Sequence, residues 1–572
     1  MRRTWTFNSG IFVALALLSA GVALWLMHAN SRNLGGGADV LGYDAAQYAV
    51  AARELAEHGR LATPFALPVE LVRANRPPWP LALVQPGLVL AEAGLFRIAG
   101  TTPPDRAGAL VLLLPFLCYL GSALALSFAA WSLIARGAPS VPEEEVALAA
   151  LSVGLAFLLD PEAQHYASGG FTEMPFTFGL SLVLAALARG PRMSAFVFGL
   201  LLGVTGLFRG NMLWLAPAFA AAYAWCSARG ARSFAVVLAG YALVLAPWWF
   251  YKWHAFGDPA WDLSRLSLWD GVQGRTWFSL NHLPQLPDVP QGSDALLALQ
   301  AKAAVNLRAL LFEIATGPRT LWIAGLVVAI FGGAGRGAAN ASFTEVPPAT
   351  GRGPRAAALA ALLALVLGVL TAALSVPLFR YVLPARLIAE AAGLVAVWAF
   401  LWNMPPEWAG PRSKRMMCAA LALLALSWGV WQSGRGIQDA ARVAADRGIP
   451  PRKTFEDLSR ALDAGLHPGE PVMSNLGPTL AWYTRRPVLH LAFTPADMEK
   501  CRERLPFDEV VLAFRQSSRA WPGWDELMAS PMEAPQHKDW NVQRVRAWSV
   551  HEGFTIVWLQ LGPPLTPVAA AR

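Results

Sequence analysis

Long apolar runs separated by short polar turns occupy most of the chain. They fall at 11–28, 107–135, 146–160, 174–188, 193–208, 211–227, 233–251, 319–333, 356–375, 383–402 and 416–434. With roughly 20 residues needed to span a bilayer, this pattern predicts about eleven membrane helices, several of them short or interrupted by proline. The segment 80–99 is also apolar but carries Glu92 and Arg97, which predicts a juxtamembrane helix rather than a span. Beyond 434 the pattern changes. "KTFEDLSRALDAGLHPG" reads as a helix opened by Thr454 and closed by Gly465, and "EPVMSN", "RPVLHL", "DEVVLAF" and "FTIVWLQL" read as strands, with "TPADMEKCRERL" as a helix between two of them. The expected architecture is therefore mainly α: a polytopic helical bundle over 1–434, including loops 29–106 and 252–318, followed by a small α/β domain over 435–572.

Composition agrees with this division. The 572 residues are 55% hydrophobic and 15% charged, against about a quarter charged in soluble domains. The first apolar run is too long for a cleaved signal, and its small residues lie inside it, so it reads as a retained span. The formal charge of +8 is explained by arginines in short loops and not by any basic–aromatic surface suited to nucleic acid. Arg2 and Arg3, Arg136, Arg189 and Arg192, Arg229 and Arg232, Arg336, Arg352 and Arg355, and Arg412, Lys414 and Arg415 all fall in alternate loops. This distribution predicts a cytoplasmic N-terminus and an outer C-terminal domain, with 29–106, 252–318 and the turn "DPEAQHYASGGFTE" also outside. The acidic run "VPEEEV" sits in a loop assigned to the cytoplasm, but acids weigh little in this rule. "GAGRGAANASFTEVPPATGRGPR" is a low-complexity cytoplasmic linker. The four cysteines have neither disulfide nor metal spacing, and no HExxH, CxxC or G-x-G-x-x-G appears.

The candidate chemistry collects on the outer side. Asp44 and Tyr48, four residues apart on an expected helix, share a face. Arg76 precedes a Pro-Pro pair; Asp160, Glu162 and His165 lie in one outer turn; Glu173 stands at a span entrance; Arg380 and Tyr381 stand at another. Each has an ordinary structural explanation. Asp44 can be a helix N-cap, Arg380 can reach lipid headgroups, Arg209 in "FRGN" can be a simple polar turn, and Trp261, Trp269 and Trp277 can form an interfacial belt. Taken together, acids and arginines at one membrane face suit transfer of a sugar from a lipid phosphate. A carboxylate accepts the attacking hydroxyl's proton, and arginines hold the departing phosphate. Nucleotide sugars are not expected outside the inner membrane, which favours a membrane-borne donor.

An ordered series of motifs carries a family resemblance over nearly the whole chain. "DAAQYAVAARELAEHG", "RPPWP", "FTEMPF", "GVTGLFRGNMLWLAP", "APWWFYKWHAFGDP", "FRYVLPA" and "GPTLAWYTRRPVLHL" resemble, in order, elements of the polyprenyl-phosphate-sugar-dependent glycosyltransferases of the GT-C class. The nearest groups are the aminoarabinose lipid A transferases and the protein O-mannosyltransferases of glycosyltransferase family 39. Asp44 matches the family's catalytic aspartate, although Ala45 replaces the acid that usually follows. Arg76 stands where lysine is common. The resemblance implies an inverting glycosyltransferase of the bacterial inner membrane with a periplasmic active site. Asp44 would be the base, with Glu173 beside it in the catalytic set. Arg76, Arg380, Tyr381 and Tyr48 would bind substrate. The implied partners are a polyprenyl-phosphate sugar, an envelope lipid, glycan or protein acceptor, and membrane lipids. Some relatives use a divalent metal, for which Asp44 and Glu173 are the candidate ligands. The competing classes are a transporter or flippase for a lipid-linked sugar, which would carry pseudo-repeats and midplane charges, and an O-antigen polymerase or ligase.

Overall fold

A computed structural model describes residues 40–563, apart from 138–140, 191, 228, 316–318, 332–351, 405, 446–449, 451, 515–523, 538–539 and 552–553, and a few positions between 13 and 25. Most of the expected first span at 11–28 and most of the low-complexity linker lie outside the described residues. The chain divides into two compact units.

The first unit, 1–33, 112–250 and 303–442, is helical. Each of the other ten expected spans is a helix: Pro104–Gly137, Glu143–Leu158, Glu173–Ala188, Ala195–Gly206, Met212–Cys226, Gly230–Phe256, Arg319–Phe331, Arg352–Leu374, Leu383–Trp402 and Pro411–Ala445. Among the described residues, six helices are long and apolar enough to cross a membrane. Glu143–Leu158 and Pro161–Ser168, bent by 59° at their junction, make a seventh if taken as one span. One of the six, Gly292–Ile314, is absent from the sequence reading, which leaves 252–318 outside the bilayer.

Glycine governs how closely these helices pack. A Cβ on Gly393 would run into the Trp322 carbonyl, and one on Gly325 into Val397, so Leu383–Trp402 and Arg319–Phe331 touch backbone to backbone. Gly199 and Gly240 do the same for Ala195–Gly206 and Gly230–Phe256. In lipid no hydrophobic force draws helices together, and small residues allow the dispersion contacts that do.

The second unit, 34–111, 251–302 and 443–572, contains the sheet. It is larger than the α/β domain expected from 435–572, because the two long loops fold with the C-terminal segment. Among the described residues eight strands form: β1 Ala62–Thr63, β2 Phe65–Ala66, β3 Trp79–Pro80, β4 Val472–Ser474, β5 Val488–His490, β6 Glu509–Phe514, β7 Val542–His551 and β8 Phe554–Leu561. Six of them make one sheet in the order β2-β5-β4-β6-β8-β7, while β1 and β3 pair separately. The pairings from β2 to β6 are parallel, and β8 and β7 are antiparallel. β4 to β6 are buried along their whole length, which accounts for their continuous apolar runs.

Tyr43–His58 ends at Gly59 in the left-handed region (φ 70°), and Pro86–Ala99 ends likewise at Gly100 (φ 62°). The expected juxtamembrane helix is Pro86–Ala99, and its two charges have separate fates. Arg97 donates to the Leu55 carbonyl at 2.7 Å and the Ala56 carbonyl at 3.3 Å, closing the last turn of Tyr43–His58. Glu92 is fully buried, and burial alone raises its pKa well above the carboxyl range. Arg53, also buried, donates to the Trp482 carbonyl at 2.7 Å and the Ala481 carbonyl at 2.9 Å, joining Tyr43–His58 to Gly477–Thr484. In the C-terminal segment, Arg452–Gly465 is the expected capped helix, but Thr454 lies inside its first turn instead of opening it.

Replacing Gly393 by valine forces Leu383–Trp402 away from Arg319–Phe331. Overpacking of this kind costs about 1–3 kcal/mol. The purified Gly393→Val protein is expected to melt below wild type in detergent, and an unchanged melting temperature would refute backbone contact at this crossing.

Candidate active site

The bundle unit brings three of the expected residues together. Glu173, nearly fully buried, begins Glu173–Ala188. Arg380 and Tyr381 belong to the single 3₁₀ turn Phe379–Tyr381 ahead of Leu383–Trp402. Arg380 Nε lies 3.8 Å from Glu173 Oε1. A closer partner comes from the turn between Ala195–Gly206 and Met212–Cys226, where Arg209 Nη1 is 2.7 Å from the same oxygen. Both guanidinium groups also lie 5.2 Å from the Tyr381 ring centre. Two guanidinium groups thus face one carboxylate oxygen. Arg380 is the more open of the two, with 28% of its side chain exposed against 9% for Arg209. It can therefore meet an incoming anion.

A second set of charges supports the first. Asp160 N-caps Pro161–Ser168, accepting from the backbone N–H groups of Glu162 and Ala163 at 3.0 and 2.9 Å. Its other oxygen accepts from Arg386 Nη2 at 2.9 Å and faces Arg319 at 3.6 Å. Arg386 also donates to Glu390 at 3.0 Å, and Arg319 stands 3.6 Å from the same carboxylate. Glu162 completes the group, 3.5 Å from Arg386 and 3.9 Å from Arg319. Tyr166, on the helix that Asp160 caps, lies within electrostatic reach of Glu162, Glu173, Arg209 and Arg380.

The sequence reading leaves Arg209 as a plain turn and places charge at span ends, so it misses Arg386 and Glu390. A signal was present: opposite charges four apart in an otherwise apolar helix are rare unless paired inside a bundle.

The remaining expected residues belong to the second unit. Gly42 is the N-cap of Tyr43–His58, and Asp44 lies within the first turn. The capping role considered for Asp44 is therefore corrected; as a first-turn acid it interacts favourably with the helix dipole. Asp44 and Tyr48 are both half-buried on one face among buried neighbours. Arg76 is exposed in the loop before β3. Trp261, considered for an interfacial belt, is instead buried between Arg73 and Arg265, 4.8 and 4.4 Å from its ring centre.

The donors do not fit a divalent metal. The near oxygen of Glu173 is committed to Arg209, and the local charge is positive. Among the described residues, no three His, Cys, Asp or Glu side chains form a metal-sized cluster.

With this geometry in hand, the chain can be compared with known proteins. No family model matches it, and no curated protein matches it in sequence. Solved structures do. ArnT from Cupriavidus metallidurans in the apo state superposes with a TM-score of 0.51 at 14% identity, over 96% of this chain and 99% of that one. The archaeal oligosaccharyltransferase AglB from Archaeoglobus fulgidus, in complex with an inhibitory peptide and a dolichol-phosphate, gives 0.53 at 12% identity, over 89% of this chain and 70% of that one. The chain therefore shares the fold of these two proteins, a helical bundle with an α/β domain.

Close to Arg76, Glu70 in the 3₁₀ turn Pro68–Val72 accepts the Leu67 N–H at 2.9 Å. Burial pushes its pKa up to about 8. An unfolded glutamate ionises near pH 4.3. Between these values the unfolded chain binds fewer protons than the folded one, so stability falls as pH rises through this window and levels off above it. Glu70→Gln is expected to remove that slope from melts run at about pH 5, 6.5 and 8.5. A slope equal to wild type would show that Glu70 is already ionised in the folded protein.

Proposed function

We propose that the chain is an integral-membrane glycosyltransferase. It moves a sugar from a polyprenyl phosphate to a hydroxyl or amine of an envelope lipid, glycan or protein, on the periplasmic face of a bacterial inner membrane. The observation that carries this reading is the convergence of Arg209 and Arg380 on Glu173 beside Tyr381, at the head of apolar helices. Two guanidinium groups beside apolar helices, one of them partly exposed, suit a lipid phosphate. The GT-C fold, and the dolichol-phosphate and peptide held by AglB, support the donor and acceptor classes. The arginine distribution over the short loops supports a cytoplasmic N-terminus and an outer C-terminal unit.

In this mechanism the acceptor oxygen or nitrogen attacks the anomeric carbon from the face opposite the phosphate. The anomeric carbon–phosphate oxygen bond breaks, and the polyprenyl phosphate departs with its electron pair. The configuration at carbon inverts, and the acceptor's proton passes to the Asp44 carboxylate. Arg380 balances the charge that grows on the phosphate, with Tyr381 as hydrogen-bond donor; for Arg76 the same role is supported by the family resemblance alone. Glu173 orients Arg209 and Arg380, and Tyr48 lines the acceptor side.

The Arg386–Glu390 pair inside an apolar helix is the one observation that favours a transporter for a lipid-linked sugar. Such a protein would move the donor intact. Release of free polyprenyl phosphate by the purified protein, dependent on acceptor, separates the two.

Asp44→Asn tests the base. With Gly42 as the cap, the change keeps the side chain's size and hydrogen-bonding capacity and removes a first-turn charge worth about 0.3–1 kcal/mol, so the variant should elute and melt close to wild type. Sugar transfer from a labelled lipid donor should fall by roughly 10²–10⁴-fold, the usual range for a general base. Transfer near the wild-type rate would leave the mechanism without a base at Asp44.

Arg380→Ala tests the phosphate site. A charge-assisted bond is worth about 1.5–3 kcal/mol, so turnover or donor binding should drop at least about tenfold at unchanged expression. Wild-type kinetics would return Arg380 to a headgroup contact.

A further inference from the structure

Gly292–Ile314 has the length and hydropathy of a membrane span, yet it is scarcely buried. Contacts within the bundle unit fix which side of the membrane each turn occupies. Arg209 meets Glu173, so Glu173–Ala188 leaves the Glu173 side and Ala195–Gly206 returns to it. The Tyr223 hydroxyl donates to the Met193 carbonyl at 2.5 Å, so Met212–Cys226 ends on the far side. Gly230–Phe256 runs alongside Ala195–Gly206 in the same direction, with Gly199 against Val237 and Gly203 against Tyr241. It brings the chain back to the Glu173 side.

The chain is on that side again at Arg319, which lies 3.6 Å from Asp160. Asp160 is bonded to Arg386, six residues after the Arg380 that meets Glu173. A crossing between Phe256 and Arg319 would carry Arg319 to the far side, about 30 Å away. The opposite face gives the same count. Gly353 packs on the Leu187 and Ala188 carbonyls, and Arg415 lies 3.4 Å from Glu145. Both contacts close with no crossing by Gly292–Ile314.

We propose that Gly292–Ile314 does not cross the bilayer but lies against its surface on the Glu173 side, with Val305 and Phe312 in the lipid of that leaflet. Leu310 and Ile314 are buried in the bundle core, and Asn306 donates to the Ala373 carbonyl at 2.9 Å. The opposite face exposes Val305 and Phe312, and the helix that Asn306 joins exposes Val366 and Leu370. Arg308 is exposed between them, placed to reach headgroups while its stem lies on lipid. The occupant is bilayer hydrocarbon, because Asn306, Leu310 and Ile314 fasten this helix to bundle helices that must themselves be solvated by lipid. The connectivity is the same whether or not the protein transfers sugar.

The test uses the full-length protein in right-side-out cells, with an impermeant maleimide and wild type as the control for native cysteines. Ser293→Cys and Ala315→Cys mark the two ends of the helix. Leu378→Cys marks the Glu173 side, and Ser413→Cys the other; all four positions are exposed. Ser293, Ala315 and Leu378 are expected to share one labelling pattern and Ser413 to show the opposite one. Labelling of Ser293 and Ala315 from opposite sides would overturn the proposal. In proteoliposomes, a nitroxide at Phe312→Cys should collide more often with oxygen than with a water-soluble nickel complex. The reverse ranking would place this face in water and overturn the lipid contact.

Discussion

The bundle unit depends on the burial of one cation. Arg386 has no exposed surface, and taking an ion out of water costs several kcal/mol unless partners replace the solvent. Asp160, Glu162 and Glu390 supply those partners, and Arg319 shares them. The group ties together the head of Leu383–Trp402, the start of Arg319–Phe331 and the bend between Glu143–Leu158 and Pro161–Ser168. Three carboxylates against two guanidinium groups make a charge-rich knot that hydrophobic packing cannot substitute for piecewise. Removal of any member would leave another charge stranded.

The Glu173 site draws its geometry from this knot. Arg380 is six residues from Arg386, so the position of the 3₁₀ turn follows from where Leu383–Trp402 is anchored. Asp160 caps the helix that carries Tyr166 toward the same site. One set of charges is mutually satisfied and sets position. The other sets two guanidinium groups against one carboxylate, with Arg380 28% exposed.

Much of this was legible in the sequence where a local period carries the information. The spans were readable from run length, and β5, β6 and β8 from continuous apolar stretches bounded by turns. Glu173, Arg380 and Tyr381 stood out because charge at the end of an apolar run is uncommon. β2 was not readable: two residues have no period, and its partner lies far along the chain. β7 was missed because its alternation includes arginines suited to a sheet edge. Arg386 and Glu390 were hidden because hydropathy averages them into their apolar neighbours. Gly292–Ile314 presents the reverse problem: its length and mean hydropathy fit a span, while the sequence reading leaves it outside the bilayer and the ion pairs of Arg319 and Arg386 with Asp160 favour that placement. The GT-C resemblance added the expected role of Asp44, which geometry alone does not assign.

The second unit carries a cost in time. Arg53 bonds to the Trp482 carbonyl across 429 positions, and β2 cannot find β5 until the last quarter of the chain has been made. At about 5–20 residues per second, the ribosome needs roughly 20–90 s to supply that partner. Throughout this interval Tyr43–His58, whose alanines and Val50 are buried in the finished fold, has no sheet to cover it, while the intervening helices enter the membrane one after another. Nascent chains of this protein therefore place a demand on holding factors at the membrane surface from the first hundred residues onward. A stop codon between the end of Pro411–Ala445 and β5 would leave the bundle helices with an uncovered apolar Tyr43–His58, a natural target for quality-control proteolysis.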